Sequence, residues 1–225
     1  MLIEEADISK FIDEVSVVRE SFNNFEASEK GFLSMIYQSG YLTIKSYDKD
    51  LECYTLKVPN DEVKKGFYKS LLPRFSCVEL ADLGLQAEKF RRALRETDMC
   101  LLQKLISSSI ANLPYLTKKD IYEDMYRNVL HMLFTIVGYQ TTSESLNICG
   151  RADTVVVMPD KVYIFEYKMQ EGKDLAQRAA EALSQIDLKH YADRFDATGK
   201  QIIKVALVFN DDLSGLGEMA SEIVN

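Results

Sequence analysis

The sequence predicts an α/β protein with a mixed sheet flanked by helices in its second half, preceded by a mainly helical segment that carries one β-hairpin. Apolar residues recur at helical spacing through most of the first half, and several strand-like runs follow residue 138. Residues 202–210 are apolar almost throughout, which is typical of a strand buried on both faces. The 225 residues suffice for one large domain or two small ones. We place a boundary near Pro114, between segments 1–114 and 115–225.

The first segment is predicted to be helical except for the hairpin. Apolar spacing indicates a helix over 4–22 and a second helix that ends at Gly40. Alternating apolar residues on both sides of the polar turn 48–50 indicate the β-hairpin. Further helices are predicted over 61–73, 84–96 and 98–112.

The second segment follows the order helix, strand, strand, strand, helix, strand. Its first helix begins near residue 118, where Thr117 and Asp120 resemble a capping box, and ends at Gly138. A long helix is predicted from Asp174 to about Phe195. The strands are predicted over 139–147, 152–158, 162–167 and 202–210.

Charge and composition exclude several classes of protein. Lys and Arg number 27 against 35 Asp and Glu, a net charge of −8, which argues against a generic basic coat for nucleic acid but not against an acidic metal site. No apolar run approaches the roughly 18 to 20 residues that span a bilayer, and the N-terminal residues are acidic where a secretory signal is basic. We therefore expect a cytoplasmic protein with no membrane partner. Four scattered cysteines and two histidines favour neither a disulfide framework nor a zinc site.

The strongest chemical signal is a set of three charged residues in two neighbouring strand-like runs. A two-residue turn at Pro159–Asp160 would place Asp153 opposite Glu166 on one face, with Cβ atoms about 4.5 to 5.5 Å apart, whereas a longer turn would shift this pairing. Lys168 shares the face of Glu166. Two such carboxylates suit Mg²⁺ or Mn²⁺, and a neighbouring lysine can orient a water or offset charge on a phosphate. The alternative is an edge hairpin whose charges face water and form weak ion pairs.

Two segments of this hairpin, GRAD at 150–153 and IFEYK at 164–168, resemble the PD-(D/E)XK nuclease superfamily. The similarity is to a bacterial branch in which this domain follows an AAA-ATPase-like domain, and it extends over residues 118–212. It implies a restriction-endonuclease-like sheet. The flanking residues that agree with the branch are Glu123, Tyr126, Glu144, Ala182, Leu183, Gln185, Ile186, Tyr191 and Ala192.

The resemblance implies a role for each of the three charged residues and for Tyr167. Asp153 and Glu166 would be metal ligands, and the backbone carbonyl of Tyr167 would be a third. Lys168 would be the catalytic lysine. Ala152 stands where the family name has proline, a departure that is common in this branch.

The resemblance also implies two supporting residues from helices. Glu123 would point into the same site as a ligand or an outer-shell group, and Gln185 would face the site from the following helix. Simpler readings compete with both roles: Glu123 suits the positive N-terminal end of its helix, and Gln185 suits a surface amide. Asp160, which follows a true proline, is predicted to be structural because it lies in the turn.

Residues 33–67 resemble the end of the AAA-ATPase-like domain in the same branch. No stretch of the G-x-x-x-x-G-K-[ST] kind occurs in the sequence, so ATP binding by that mechanism is not expected. A protein partner that supplies ATPase function is the corresponding expectation.

The function predicted from these observations is Mg²⁺-dependent hydrolysis of phosphodiester bonds in DNA. The alternative is a nuclease-fold module that has lost catalysis and serves nucleic-acid or protein binding. A third hypothesis is a nuclease that acts only inside a larger assembly. The presence of Asp153, Glu166 and Lys168 together favours the enzyme, whereas the net negative charge of the chain favours the alternatives.

Overall fold

The computed structural model divides the chain into two compact units, Met1–Ser70 and Leu71–Asn225. The predicted division at residue 114 stays a prediction. The structure describes residues 14–23, 29–75, 81–111, 119–147 and 150–224.

The first unit contains a three-stranded antiparallel sheet in the order β1-β3-β2. The predicted hairpin is formed by β2 and β3, and the Asp48 carboxylate orders its turn by accepting the backbone N–H groups of Asp50 and Leu51 at 2.9 and 3.1 Å. The strands are β1 (Val15–Val18), β2 (Thr43–Asp48) and β3 (Cys53–Lys57).

The predicted helix over 4–22 is wrong in the part that the structure describes. Val15–Val18 form β1 and pair with β3, and a short 3₁₀ helix follows over Arg19–Asn23. β-branched valines favour strands, and only Val17 of the four residues in β1 is buried, which matches the two-residue period of a strand. Residues 4–13 of this prediction lie outside the described residues.

The helices agree closely with the predicted ones through residue 137. The Asp98 side chain caps α4 by accepting the backbone N–H of Leu101 at 2.9 Å. The first five helices are α1 (Glu29–Gln38), α2 (Asp61–Phe75), α3 (Leu83–Glu96), α4 (Met99–Ile110) and α5 (Lys119–Val137). No helix in the described part of the chain is long and apolar enough to cross a bilayer.

The second unit is built on a five-stranded mixed sheet in the order β4-β5-β6-β7-β8. β6 and β7 are parallel and are joined through α6, whereas the other neighbours are antiparallel. This sheet with its helices confirms the predicted fold class. The elements are β4 (Gln140–Asn147), β5 (Gly150–Val157), β6 (Lys161–Met169), α6 (Leu175–Leu188), β7 (Gln201–Phe209) and β8 (Leu216–Val224).

Alternation along β6 assigns its side chains to the two faces of the sheet. Val162 and Ile164 belong to an apolar cluster with Ala179, Ala182, Leu183 and Ile186 of α6. On the other face, the ring of Phe165 stacks on Phe134 of α5, with centroids 4.8 Å apart. Glu166 and Lys168 continue the series of Val162 and Ile164, so they lie on the α6 face.

Two features of the second unit differ from the prediction. The long helix ends at Leu188 rather than near Phe195, because His190 adopts a left-handed conformation with φ 53° and the Tyr191 N–H bonds back to the Ile186 carbonyl at 3.1 Å. A short 3₁₀ helix, Asp193–Thr198, follows. Strand β8 was not predicted.

Candidate active site

The β5–β6 hairpin has the register that the short turn predicts. Pro159 and Asp160 form its two-residue loop, which is closed by the Met158 N–H donating to the Lys161 carbonyl at 2.8 Å. Pairing runs from Val157 opposite Val162 to Thr154 opposite Phe165. The next positions in this register are Asp153 and Glu166. Because β5 and β6 are interior strands of the sheet, the edge-hairpin alternative does not apply.

The Asp153 carboxylate is held at both oxygens. Its Oδ2 accepts the backbone N–H of Tyr167 at 2.8 Å, and its Oδ1 lies 3.2 Å from both Nε and Nη2 of Arg127 in α5. The side chains of Asp153 and Arg127 are only 14% and 12% exposed. Burial raises the pKa of the Asp153 carboxyl, while Arg127, the Tyr167 N–H and Lys168 act in the opposite direction.

The Glu166 carboxylate lies deeper, with 3% of its side chain exposed. Its Oε1 lies 3.3 Å from Nζ of Lys168 and accepts a hydrogen bond from Nε2 of Gln185 in α6. Lys168 and Gln185 therefore converge on one carboxylate oxygen from a strand and from a helix. Burying a carboxylate is costly without such partners, so these contacts compensate for the burial of Glu166.

Lys168 links the two carboxylates electrostatically. It forms the ion pair with Glu166, and its positive charge also opposes the rise that burial causes in the pKa of Asp153. Its side chain is 20% exposed, which makes it the more accessible of the two cations at these acids. Asp153, Glu166 and Lys168 thus lie close together near the C-terminal end of β6.

Tyr167 contributes its backbone to this arrangement and its ring to the core. The ring points to the face opposite Glu166 and contacts Phe209 with centroids 6.2 Å apart. Burial raises the pKa of the Tyr167 hydroxyl far above its ordinary value. The ring anchors the strand, so the N–H that binds Asp153 has a fixed position.

The remaining predicted residues divide into two groups. Asp160 is exposed in the turn and Tyr191 is buried in the apolar cluster on the α6 face, which suits structural roles. Glu123 lies in the first turns of α5, but its side chain, like that of Glu144, is outside the described residues.

Sequence reasoning missed Arg127. It lies four residues after Glu123, and residues at this spacing share a face of an α-helix. Since Glu123 was expected to face the site, the same face of α5 would have pointed to Arg127.

The donor set fits a hard divalent cation. Asp153 and Glu166 offer carboxylate oxygens, and the side chains that the structure describes include no cluster of three or more His, Cys, Asp and Glu. Mg²⁺ is commonly held by one or two carboxylates and retains waters or substrate phosphates at its other positions. Asp153 and Glu166, with the Tyr167 carbonyl, are the residues that would hold it.

Comparison with known proteins identifies a family model and a relative that are similar to this chain. Residues 121–215 match the family model of the PD-(D/E)XK nuclease superfamily. The chain is 28% identical over 218 residues to an "Uncharacterized protein in vnfD 5'region" of Azotobacter chroococcum mcd 1, a match that covers 94% of this chain and 41% of that relative. The chain therefore spans about two fifths of the length of this relative. No solved structure matches the chain. The residues that match this superfamily model contain Asp153, Glu166 and Lys168.

Proposed function

We propose that this protein is a nuclease that hydrolyses phosphodiester bonds in DNA and requires Mg²⁺ or Mn²⁺. The observation that carries the proposal is the convergence of Asp153, Glu166 and Lys168 at one end of the central strands. Buried charges contribute little net stability, and an apolar set of similar volume serves a core at least as well. A catalytic role explains why these strands bury two acids there.

Each residue has a distinct role in the proposed reaction. Asp153 and Glu166 bind the cation, together with the backbone carbonyl of Tyr167. When bound, the cation supplies Lewis-acid stabilisation of the charge that develops on the phosphate. Lys168 is the general base or orienting group for the attacking water, and its charge stabilises the phosphate in the transition state.

Gln185 and Glu123 have supporting roles in this proposal. Gln185 donates to Glu166 and fixes the orientation of its carboxylate. Glu123 joins the site from α5, as a ligand or as an outer-shell group.

The proposal extends to the surroundings in which the protein works. We place it in the cytoplasm of a bacterium, with nucleic acid as its substrate. The resemblance of residues 33–67 to the end of an AAA-ATPase-like domain supports a protein partner with ATPase function.

The alternative function is a nuclease-fold module that binds nucleic acid or protein without cleavage. The net charge of −8 favours it, since tight phosphate binding needs clustered cations. Metal-dependent cleavage by the purified protein distinguishes the two functions.

The test is cleavage of labelled single-stranded and double-stranded DNA in Mg²⁺ and in Mn²⁺. We compare wild type with Asp153→Ala and Lys168→Ala, and Asp160→Ala serves as a control at the exposed turn of the same hairpin. Metal-dependent cleavage that is retained by the control and lost in both site variants supports the enzyme. Cleavage that survives both site substitutions contradicts the assignment of the site. Absence of both cleavage and calorimetric metal binding supports the alternative.

A further inference from the structure

We propose that Arg127 is a positioning residue that holds the Asp153 carboxylate in the orientation that binds the divalent cation. This inference rests on the proposed function, because it concerns the same site. It gives a role to a helix residue that the hairpin motif does not contain.

The geometry fixes Asp153 from two directions. Two nitrogens of the Arg127 guanidinium lie 3.2 Å from Oδ1, and the Tyr167 N–H donates to Oδ2 at 2.8 Å. With a partner at each oxygen, rotation of the carboxylate about its Cβ–Cγ bond is restricted. An ionised carboxylate has about four lone-pair positions, so Oδ2, which accepts the backbone hydrogen bond of Tyr167, retains capacity to bind a cation.

The position of Arg127 is itself well determined by packing. Its neighbours in α5 are deeply buried: the ring of Tyr126 stacks on Phe209 with centroids 4.0 Å apart, and Val129 is fully buried. The helix is therefore held against the sheet on both sides of Arg127. The guanidinium is planar and presents several donors in a fixed fork, which a lysine ammonium does not reproduce.

The two cations at the acids differ in accessibility. The Arg127 side chain is 12% exposed and contacts Asp153, whereas Lys168 is 20% exposed and contacts Glu166. We assign orientation of Asp153 to the more buried cation. Lys168 is then the cation that contacts the substrate, as the proposed function requires.

The test measures Mn²⁺ affinity by calorimetry, without nucleic acid and at one fixed pH, for wild type, Arg127→Met and Arg127→Lys. Loss of a residue that orients a metal ligand typically weakens binding about 10- to 100-fold. We expect a loss in this range for Arg127→Met and a smaller loss for Arg127→Lys, which keeps the charge but not the fork.

Arg178→Met is the matched control. Its side chain is also 12% exposed, but its acidic partners are Glu171 and Glu181. Thermal unfolding of all variants separates lost stability from lost metal affinity. We expect Arg178→Met to lower the unfolding temperature while Mn²⁺ affinity stays near that of wild type.

Several outcomes would overturn the inference. Unchanged affinity in folded Arg127→Met would show that Asp153 is oriented without the arginine. Tighter binding would show that the guanidinium competes with the cation. If Arg127→Met does not fold, the test falls to Arg127→Lys. A Mn²⁺ affinity of Arg127→Lys equal to that of wild type would then show that Asp153 is oriented without the guanidinium. Absence of Mn²⁺ binding in wild type would contradict the proposed function itself, which distinguishes that failure from a failure confined to Arg127.

Discussion

The backbone N–H of Tyr167 donates to Oδ2 of Asp153 at 2.8 Å, so the residue between Glu166 and Lys168 also holds the acid of the neighbouring strand. The hydrogen bond joins residues 14 positions apart in sequence. It couples the strand that carries Glu166 and Lys168 to the orientation of Asp153. Any shift of β6 along β5 would separate Asp153 from both Glu166 and Lys168.

Substitution of Lys168 tests the proposed catalytic lysine. We expect Lys168→Met to lower the cleavage rate about 10²- to 10³-fold, the scale for removal of one transition-state contact. The measurement is the single-turnover rate in saturating Mg²⁺. Lys204→Met is the control, because Lys204 is also a lysine of this sheet, in the neighbouring strand β7, but pairs with Asp187 and Glu222. A similar rate loss in both variants would argue against a specific role for Lys168.

Substitution of Gln185 tests the contact with Glu166. We expect Gln185→Leu to weaken Mn²⁺ binding about 10-fold or more, since it removes the donor that orients a ligand carboxylate. The measurement is calorimetric titration with Mn²⁺, and Gln177→Leu, an exposed position of the same helix, is the control. Equal affinities in the two variants would place Gln185 outside the metal site.

The pH dependence of stability tests the burial of Asp153. Burial raises the pKa of Asp153 above its ordinary value of 3.8, so the folded chain holds this proton more tightly than the unfolded chain does. Protonation of Asp153 therefore stabilises the folded chain, and this stabilisation is complete below pH 3.8, the ordinary pKa of aspartate. It is lost as pH rises through the pKa that Asp153 has in the folded chain. Relative to wild type, Asp153→Asn should therefore gain stability as pH rises.

The measurement is chemical unfolding in a metal chelator, from about pH 4 to about pH 7. Asp160→Asn, at the exposed turn of the same hairpin, controls for the general effect of losing one negative charge. Parallel curves for Asp153→Asn and wild type would contradict the prediction.

Gly217 tests the packing where β8 begins. A Cβ atom at this position would collide with the side-chain oxygen of Asn210 and lie 2.9 Å from Cδ2 of Leu175. We expect Gly217→Ala to lower the free energy of unfolding by about 1 to 3 kcal/mol, as overpacking usually does. Gly66→Ala is the control, because Gly66 is inside α2 with nothing within 4 Å of the added atom. There we expect no loss of stability, or a gain of about 0.5 to 1 kcal/mol.

The sequence was sufficient to predict the hairpin because local rules determine it. A two-residue turn and the two-residue period of strands together fix which side chains share a face. Asp153, Glu166 and Lys168 could therefore be grouped without knowledge of the rest of the fold. Arg127 could not be grouped in this way, because its contact with Asp153 spans 26 residues and depends on how α5 packs against the sheet.

The elements that sequence reasoning missed have weak local signals. β8 is a half-exposed edge strand with glycine and charged residues, so its apolar alternation is poor. Val15–Val18 fit the apolar spacing of a helix as well as a strand, and pairing with β3 decides between them. The helix end at Leu188 depends on His190 in a left-handed conformation, for which glycine is the usual sequence signal.

The most direct test of the central claim is the rate of DNA cleavage by wild type and Glu166→Gln in Mg²⁺, each repeated after chelation of the metal. This substitution keeps the size of the buried side chain and removes the charge that would bind the cation. We predict metal-dependent cleavage by wild type and its loss in Glu166→Gln. Cleavage by Glu166→Gln at the wild-type rate, or cleavage that survives chelation, would contradict the account.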